Sequence, residues 1–264
     1  MKATSNQKSK LPFSRFLSTT RRALGLYRTI NSARHLLSPL IANTPAMRES
    51  CFAIRYGVFA EELNLEPLNE CKLEFNNSDH YSTHCLMLLN SSNGYCGTVR
   101  LVSPVTDTQL LPIEESCLHA ISDMRYHPNN FRREDICEVS RLAIPSEFRA
   151  RNADKYEGAG LGNIKSQSTL KKASRAFPLI AVCLYLAAAA IAINSGRKHV
   201  YVMIEPALAR KMSAVGLTFI KIGNVVDYHG KRAPFYIHAD DAARSIRLPF
   251  RLLFNHYLSS LKSS

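Results

Sequence analysis

The sequence predicts one mixed α/β domain built around a single sheet, and three observations support this. Apolar residues make up 46% of the 264 residues and charged residues 21%, which is typical of a globular chain with a substantial core. Short apolar runs of strand character alternate with helical apolar stripes. The segment NSSNG at 90–94 separates two of those runs and indicates a β-hairpin. Together they indicate a mixed sheet flanked by helices.

The predicted elements follow one another without internal repeats. In chain order we expect a helix at 47–63, hairpin strands at 81–89 and 95–103, a short helix near 114–122, a central strand at 137–144, a buried helix at 177–195 ending at Gly196, a strand at 200–204, a helix at 207–215 ending at Gly216, and strands at 218–222 and 235–237. The helix at 177–195 is the most apolar stretch. Its alanines make it only weakly hydrophobic, so we expect a buried helix and not a membrane span.

The net charge of +13 lies entirely in the two ends of the chain. Residues 1–48 contain nine Lys or Arg and no acid, and residues 242–264 contain four and no acid, whereas the body is neutral. A neutral body without interleaved aromatic and basic residues argues against nucleic-acid binding. We therefore divide the chain into a basic amphipathic extension at 1–46, a central domain at 47–240 and a basic amphipathic tail at 241–264.

Both ends have apolar stripes at helical spacing. The N-terminal stripe comprises Phe13, Phe16, Leu17, Leu24 and Tyr27, and the C-terminal stripe comprises Phe250, Leu253, Phe254, Tyr257, Leu258 and Leu261. Packing on the domain core or on a second subunit is the preferred interpretation. Contact with an anionic membrane is the second, and an organelle transit peptide the third.

The cysteines and histidines predict no metal site. Seven Cys occur without a C-x-x-C pair, which is typical of a reduced, cytoplasmic protein. His80 and His84 are four residues apart, but they fall in a predicted strand, where that spacing does not produce a ligand pair.

Charged residues in otherwise apolar segments indicate a polar site. These are Arg55, Asp79, Arg100, Glu138 and Arg141, and burying a charge is costly unless it is paired. Either they converge on a catalytic centre or they form internal ion pairs that orient the first helix on the sheet. Residues three apart on a regular strand face opposite ways, so Glu138 and Arg141 share a site only if the strand bulges between them. Such a bulge would also free backbone N–H groups that could bind an oxyanion.

Several of these residues belong to motifs that resemble a known group of proteins. R-x-x-x-F at 55–59, Asp79, GTVRL at 97–101 and EVSRL at 138–142 resemble the ordered landmarks of the autoinducer (acyl-homoserine-lactone) synthases and N-acyl amino acid synthases. MIEPALARKMSAVGL at 203–217, Ile222-Gly223 and YHGKRAP at 228–234 resemble the acyltransferases associated with the PEP-CTERM/exosortase system. The resemblance covers about 47–238 and implies the GNAT (acyl-CoA N-acyltransferase) fold.

The resemblance implies an enzyme that transfers a fatty acyl group from acyl carrier protein to the amine of an amino acid or related compound. All five charged residues would line the reaction chamber. Glu138 would be the general base, and Arg100 and Arg141 would hold that carboxylate and the acceptor's acid group. Asp79 would hold the ammonium or order the segment around it. Phe59, Ser140 and Leu142 would belong to the substrate and acyl pocket, with the acyl chain beneath the helix at 177–195.

Donor binding is predicted from a basic run after the central strand. This run, which includes Arg149, Arg151, Lys171, Lys172 and Arg175, suits the acidic surface of acyl carrier protein; the alternative is a solvated loop. KYEGAG at 155–160 is a weak candidate for binding coenzyme A phosphates. No bound cofactor is implied, since acyl carrier protein or coenzyme A would supply the acyl group as co-substrate.

Two alternatives remain open. The chain lacks Trp, whereas the homoserine-lactone synthases carry a characteristic one, and this disfavours S-adenosylmethionine as acceptor. An acyl-homoserine-lactone synthase is therefore the second hypothesis. A non-catalytic assembly factor at the membrane surface is the third. We expect a cytoplasmic protein, with peripheral contact to the inner membrane through the basic ends as a further possibility.

Overall fold

The computed structural model describes residues 13–149 and 179–262, with side chains from residue 24 onward. Its helices are α1 (Phe13–Leu36), α2 (Pro45–Tyr56), α3 (Pro112–Ser116), α4 (Leu179–Asn194), α5 (Pro206–Val215), α6 (Ala239–Ser245) and α7 (Phe250–Ser260). Its strands are β1 (Leu37–Ile41), β2 (Ser82–Leu89), β3 (Gly94–Val102), β4 (Ile136–Ala143), β5 (His199–Ile204), β6 (Ile220–Lys221), β7 (Val226–Asp227) and β8 (Lys231–His238). Short 3₁₀ turns fill the connection from β3 to β4.

The strands form one mixed sheet in the order β1-β2-β3-β4-β5-β8-β6, with β7 also paired to β8. All described pairings are antiparallel except that of β4 with β5. Alternation along β3 separates the two faces of the sheet. Val99 and Leu101 pack in the core with α4, whereas Arg100 between them points to the side of α2.

The central pair of strands separates at one end. Parallel pairing between β4 and β5 runs from Ile136↔His199 to Val139↔Val202 and then stops, although both strands continue. On its other side β4 pairs Ser140 with Arg100 and Ala143 with Thr98. Three steps on β4 therefore match two on β3, which is a β-bulge. The predicted bulge is present, but it lies at Arg141 and Leu142, after a regular register from Glu138 to Ser140.

The main core lies between the sheet and α4. Almost every side chain of α4 is buried, from Leu179 to Ala192, so it is the predicted buried helix. The C-terminal stripe packs into the same core, because Phe250, Leu253, Phe254, Tyr257 and Leu261 on and just after α7 are all buried. Packing of this stripe, the preferred interpretation, is therefore confirmed.

The N-terminal stripe is placed differently from the prediction. Leu24 and Tyr27 are 51% and 48% exposed, and the buried face of α1 carries Ile30 and Ala33 instead. The remaining members, Phe13, Phe16 and Leu17, precede the residues whose side chains are described. The segment 1–46 also contains β1, an edge strand of the sheet that the sequence analysis did not predict. None of the helices in the described part of the chain has both the length and the hydrophobicity that a membrane span needs.

Candidate active site

A buried ionic cluster joins α2 to the sheet. Arg55 donates to both oxygens of Asp79, at 2.7 and 3.0 Å, and to Glu74. Arg100 donates to Asp79 Oδ1 and to Asn76 Oδ1, each at 2.8 Å. Burial would raise the pKa of Asp79, but Arg55 and Arg100 hold it well below its usual range. The cluster consequently consists of ionised, paired groups.

Asp79 orders the backbone of the segment that leads into β2. It accepts the N–H of Asn76 at 2.7 Å, which completes a capping box on the 3₁₀ turn Asn77–Tyr81. Its side chain is only 5% exposed and its carboxylate is already occupied by two arginines. Of the two predicted roles, ordering the surrounding segment is therefore what this geometry provides.

Arg141 occupies the bulge itself. Its φ of 49° lies in the left-handed region, which costs a non-glycine residue about 1–3 kcal/mol. Its Nε donates to Glu74 at 3.1 Å and its Nη2 to Glu66 at 3.0 Å, and its guanidinium lies 5.8 Å from the centre of the Phe59 ring. These contacts stabilise the left-handed backbone conformation of Arg141. Glu74 thereby bridges Arg55 and Arg141.

A cavity of about 810 Å³, including its mouth, opens where β4 and β5 separate. The central strand contributes Glu138 through Leu142, so the bulge does bring Glu138 and Arg141 to one space. The predicted pocket residues Phe59, Ser140 and Leu142 also line it. The opposite wall comes from β5, α4, α5 and β8.

Glu138 is the one carboxyl of β4 and lies in this cavity almost fully buried, with 2% exposure. The N–H of Ile113 donates to its Oε2 at 2.8 Å, and no described residue hydrogen-bonds to Oε1. Burial raises its pKa from an ordinary 4.5 to about 7, against the opposing effects of the Ile113 N–H and the Arg100 charge. A carboxyl with this pKa exchanges protons readily near neutral pH.

Two predictions about the charged residues are wrong. Arg55, Asp79 and Arg100 do not line the cavity but lie behind it in the buried cluster, which is the internal ion-pair alternative. Arg100 and Arg141 do not hold the Glu138 carboxylate, because their hydrogen bonds go to other partners. The physical reason is the acidic stretch between α2 and β2. Its carboxylates form ion pairs with Arg100 and Arg141, so these arginines are not available to Glu138.

A second cavity of about 350 Å³, including its mouth, lies between the sheet and α4. It shares Val139 and Tyr185 with the first cavity and is otherwise lined by apolar side chains such as Ala189, Leu217 and Phe219. Tyr185 packs edge-on against Phe219 at 6.4 Å between ring centres. The two cavities are therefore adjacent, and Val139 and Tyr185 line both.

Several cavity residues were missed by the sequence analysis. Glu66 lines the cavity, and Glu74 pairs with Arg141. Neither was predicted, although an arginine on a predicted bulge requires carboxylate partners. Tyr185 looked like an ordinary core aromatic. Arg232 lay within the YHGKRAP string without a role.

The predicted donor-binding residues lie mostly outside the described part of the chain. This applies to Arg151, Lys171, Lys172 and Arg175, and to the string at 155–160. Arg149, at the edge of the described range, forms an ion pair with Glu62. Among the described residues no group of three or more His, Cys, Asp or Glu is placed to hold a metal ion.

Comparisons with known proteins agree with this fold. A family profile described as an acetyltransferase (GNAT) domain matches residues 54–157. The AHL synthase LasI superposes with a TM-score of 0.56 at 13% identity, covering 80% of this chain and 97% of LasI. FeeM, an N-acyl amino acid synthase from uncultured soil microbes, gives 0.51 at 13% identity, covering 80% and 96%.

A third solved structure, the CoA-dependent acyl-homoserine lactone synthase BjaI with MTA, gives a TM-score of 0.53 at 15% identity, covering 85% of this chain and 89% of BjaI. None of the curated proteins matches this sequence. Identities this low establish the fold alone, and the family profile adds the class of domain. The chain therefore carries an acyltransferase domain with the GNAT fold.

Proposed function

We propose that this protein is an N-acyltransferase that moves a fatty acyl group from acyl carrier protein to the amine of an amino acid or a related compound. The observation that carries the proposal is Glu138, a buried carboxyl with a pKa of about 7 in the cavity where β4 and β5 separate. A base of this strength beside an open strand edge suits acyl transfer to an amine, because it can take the proton of the amine while free backbone N–H groups bind the oxyanion.

The proposed reaction uses groups on both sides of the cavity. Glu138 Oε1 takes a proton from the acceptor amine as its nitrogen attacks the thioester carbonyl. Backbone N–H groups of the bulged segment 140–142 stabilise the oxyanion. When the tetrahedral intermediate collapses, the C–S bond breaks and the proton passes from Glu138 to the departing thiolate. The products are an amide and a free thiol, and no covalent enzyme intermediate forms.

The acyl chain is proposed to enter the apolar space beneath α4. Met203, Leu208 and Tyr185 give the first cavity an apolar wall, and the second cavity continues this surface. Burial of an acyl chain against such a surface contributes about 0.8 kcal/mol for each methylene. Acyl carrier protein would dock on the basic segment that begins at Arg149.

A purified-enzyme assay tests the proposal. The protein is incubated with palmitoyl-acyl carrier protein and each common amino acid, while free thiol and amide are measured by a thiol reagent and by mass spectrometry. We expect amide formation that falls at least 100-fold in Glu138→Gln and is unchanged in Glu134→Gln, whose carboxylate is exposed. Unaltered turnover in Glu138→Gln would reject Glu138 as the base.

Acyl-homoserine-lactone synthesis is the second candidate, favoured by the shared fold of LasI and BjaI. The same assay with S-adenosylmethionine as acceptor separates the two, and the absence of Trp leads us to expect no lactone. A non-catalytic role at the membrane surface would be indicated by no amide or lactone with any acceptor or donor. Lipid analysis of cells that express the protein beside exosortase genes would test the proposed PEP-CTERM setting.

A further inference from the structure

A second arginine of the cavity has an unusual environment. Arg232, near the start of β8, lines the cavity together with Tyr185, Glu205 and Tyr228. Its Nε is buried and has no hydrogen-bond partner among the described residues. A buried N–H of a guanidinium without a hydrogen-bond acceptor is costly, so this position favours binding of an anionic group.

The comparison with Arg141 strengthens this point. Arg141 lines the same cavity, but its charge is balanced by ion pairs with Glu74 and Glu66 at 3.1 and 3.0 Å. Burial lowers the pKa of Arg232, and Tyr185, Glu205 and Tyr228 oppose this effect through space. The positive charge available to a ligand in this cavity is therefore that of Arg232.

We propose that Arg232 binds the carboxylate of the acceptor, so that the enzyme selects amino acids over simple amines. This inference rests on the proposed N-acyl transfer. An α-amino acid carries its carboxylate on the carbon next to the amine, so the group that binds it must share a cavity with the base. Arg232 and Glu138 do share one, and a guanidinium suits a carboxylate because it can donate two parallel hydrogen bonds.

A phosphate of the acyl donor is the other anion with suitable chemistry. In a pantetheine arm the phosphate is separated from the thioester by the full length of the arm, whereas the acceptor carboxylate is next to the reacting amine. Because Arg232 lies in the same cavity as Glu138, the carboxylate fits this position better. If Arg232 binds the acceptor carboxylate, its replacement should raise KM for the acceptor, whereas if it binds a donor phosphate, its replacement should raise KM for the acyl donor.

The kinetic test compares the best amino-acid acceptor with its α-amide. In the wild-type enzyme we expect kcat/KM for the acid to exceed that for the amide at least 10-fold, since the uncharged amide cannot accept the charge-assisted hydrogen bonds that the carboxylate accepts. Arg232→Gln should abolish this preference mainly through a higher KM for the acid, and Arg232→Lys should restore part of it. Arg125→Gln, at a side chain 79% exposed, is the matched control and should keep the preference.

A binding measurement does not depend on turnover. We expect N-dodecanoylglycine to bind the wild-type protein at least 10-fold more tightly than N-dodecanoylglycinamide in calorimetry, and to lose this advantage in Arg232→Gln. Equal binding of the two compounds by the wild-type protein would overturn the inference, even if Arg232→Gln failed to fold. So would a raised KM for the acyl donor with the acid preference intact. Absence of turnover together with retained acid preference in binding would reject the proposed reaction but keep the carboxylate site.

Discussion

Replacing Glu138 by Gln should make the protein more stable at alkaline pH while it removes activity. The native state raises the pKa of this carboxyl from 4.5 to about 7, so folding favours its protonated form. The stability that Glu138 contributes is full below pH 4.5 and is lost as the pH rises through 7. Each unit of pKa shift corresponds to about 1.4 kcal/mol. The free energy of unfolding of the wild-type protein should therefore fall by about 3 kcal/mol as the pH rises above 7.

Urea unfolding of both proteins at pH 5 and pH 8 measures this effect. The free energy of unfolding of Glu138→Gln minus that of wild type should increase by about 2–3 kcal/mol from pH 5 to pH 8. Comparing two pH values cancels any constant cost of the new amide, such as its unpaired N–H₂ beside Ile113. Glu134→Gln, at an exposed position, is the control. A shift near zero would refute the burial of an ionisable Glu138 and with it the proposed base.

Three further predictions follow from the same geometry. First, kcat/KM for amide formation should rise with pH along a limb of apparent pKa about 7, as Glu138 loses its proton, and the residual rate of Glu138→Gln should lack that limb; a limb that persists would assign it to another group. Second, Asp79→Asn removes the partner of two buried arginines and should cost about 3–5 kcal/mol in urea unfolding, whereas Asp123→Asn at the surface should change little; equal effects would contradict the buried cluster. Third, Tyr185→Ala should join the two cavities and shift the preferred donor toward longer acyl chains in a mixed-donor assay analysed by mass spectrometry, with Tyr185→Phe as control; an unchanged product distribution would show that Tyr185 does not limit chain length.

Local patterns predicted the central elements of the fold well. The hairpin, the central strand and the buried helix were found because apolar period and turn residues agree there, and β4 begins only one residue before its predicted start. The edge strand β1 was missed because its sequence LSPLI contains a proline and follows a basic helix. Its strand conformation comes from pairing with β2, which is a tertiary contact. The helix predicted to Leu63 continues past Tyr56 only as a π-helical segment.

The candidate site was predicted in part. The geometry of a strand was enough to infer the bulge, because no regular strand could bring Glu138 and Arg141 to one face. The partners of each charge could not be inferred, since several carboxylates and arginines allow many pairings and only the path of 63–76 decides among them. Arg232 could not be recognised either, because what distinguishes it is a buried, unpartnered Nε.

The two walls of the cavity differ in how freely they can change over evolution. On one side Glu74 forms ion pairs with both Arg55 and Arg141. A mutation at any of these three positions leaves a buried charge unpaired, which destabilises the fold, so selection should remove it. On the other wall the apolar side chains Met203 and Leu208 pack beside Tyr185, and swaps of similar volume are tolerated at such positions. New acyl specificities should therefore arise on the helix side of the cavity, while the charged side stays constant among descendants of this enzyme.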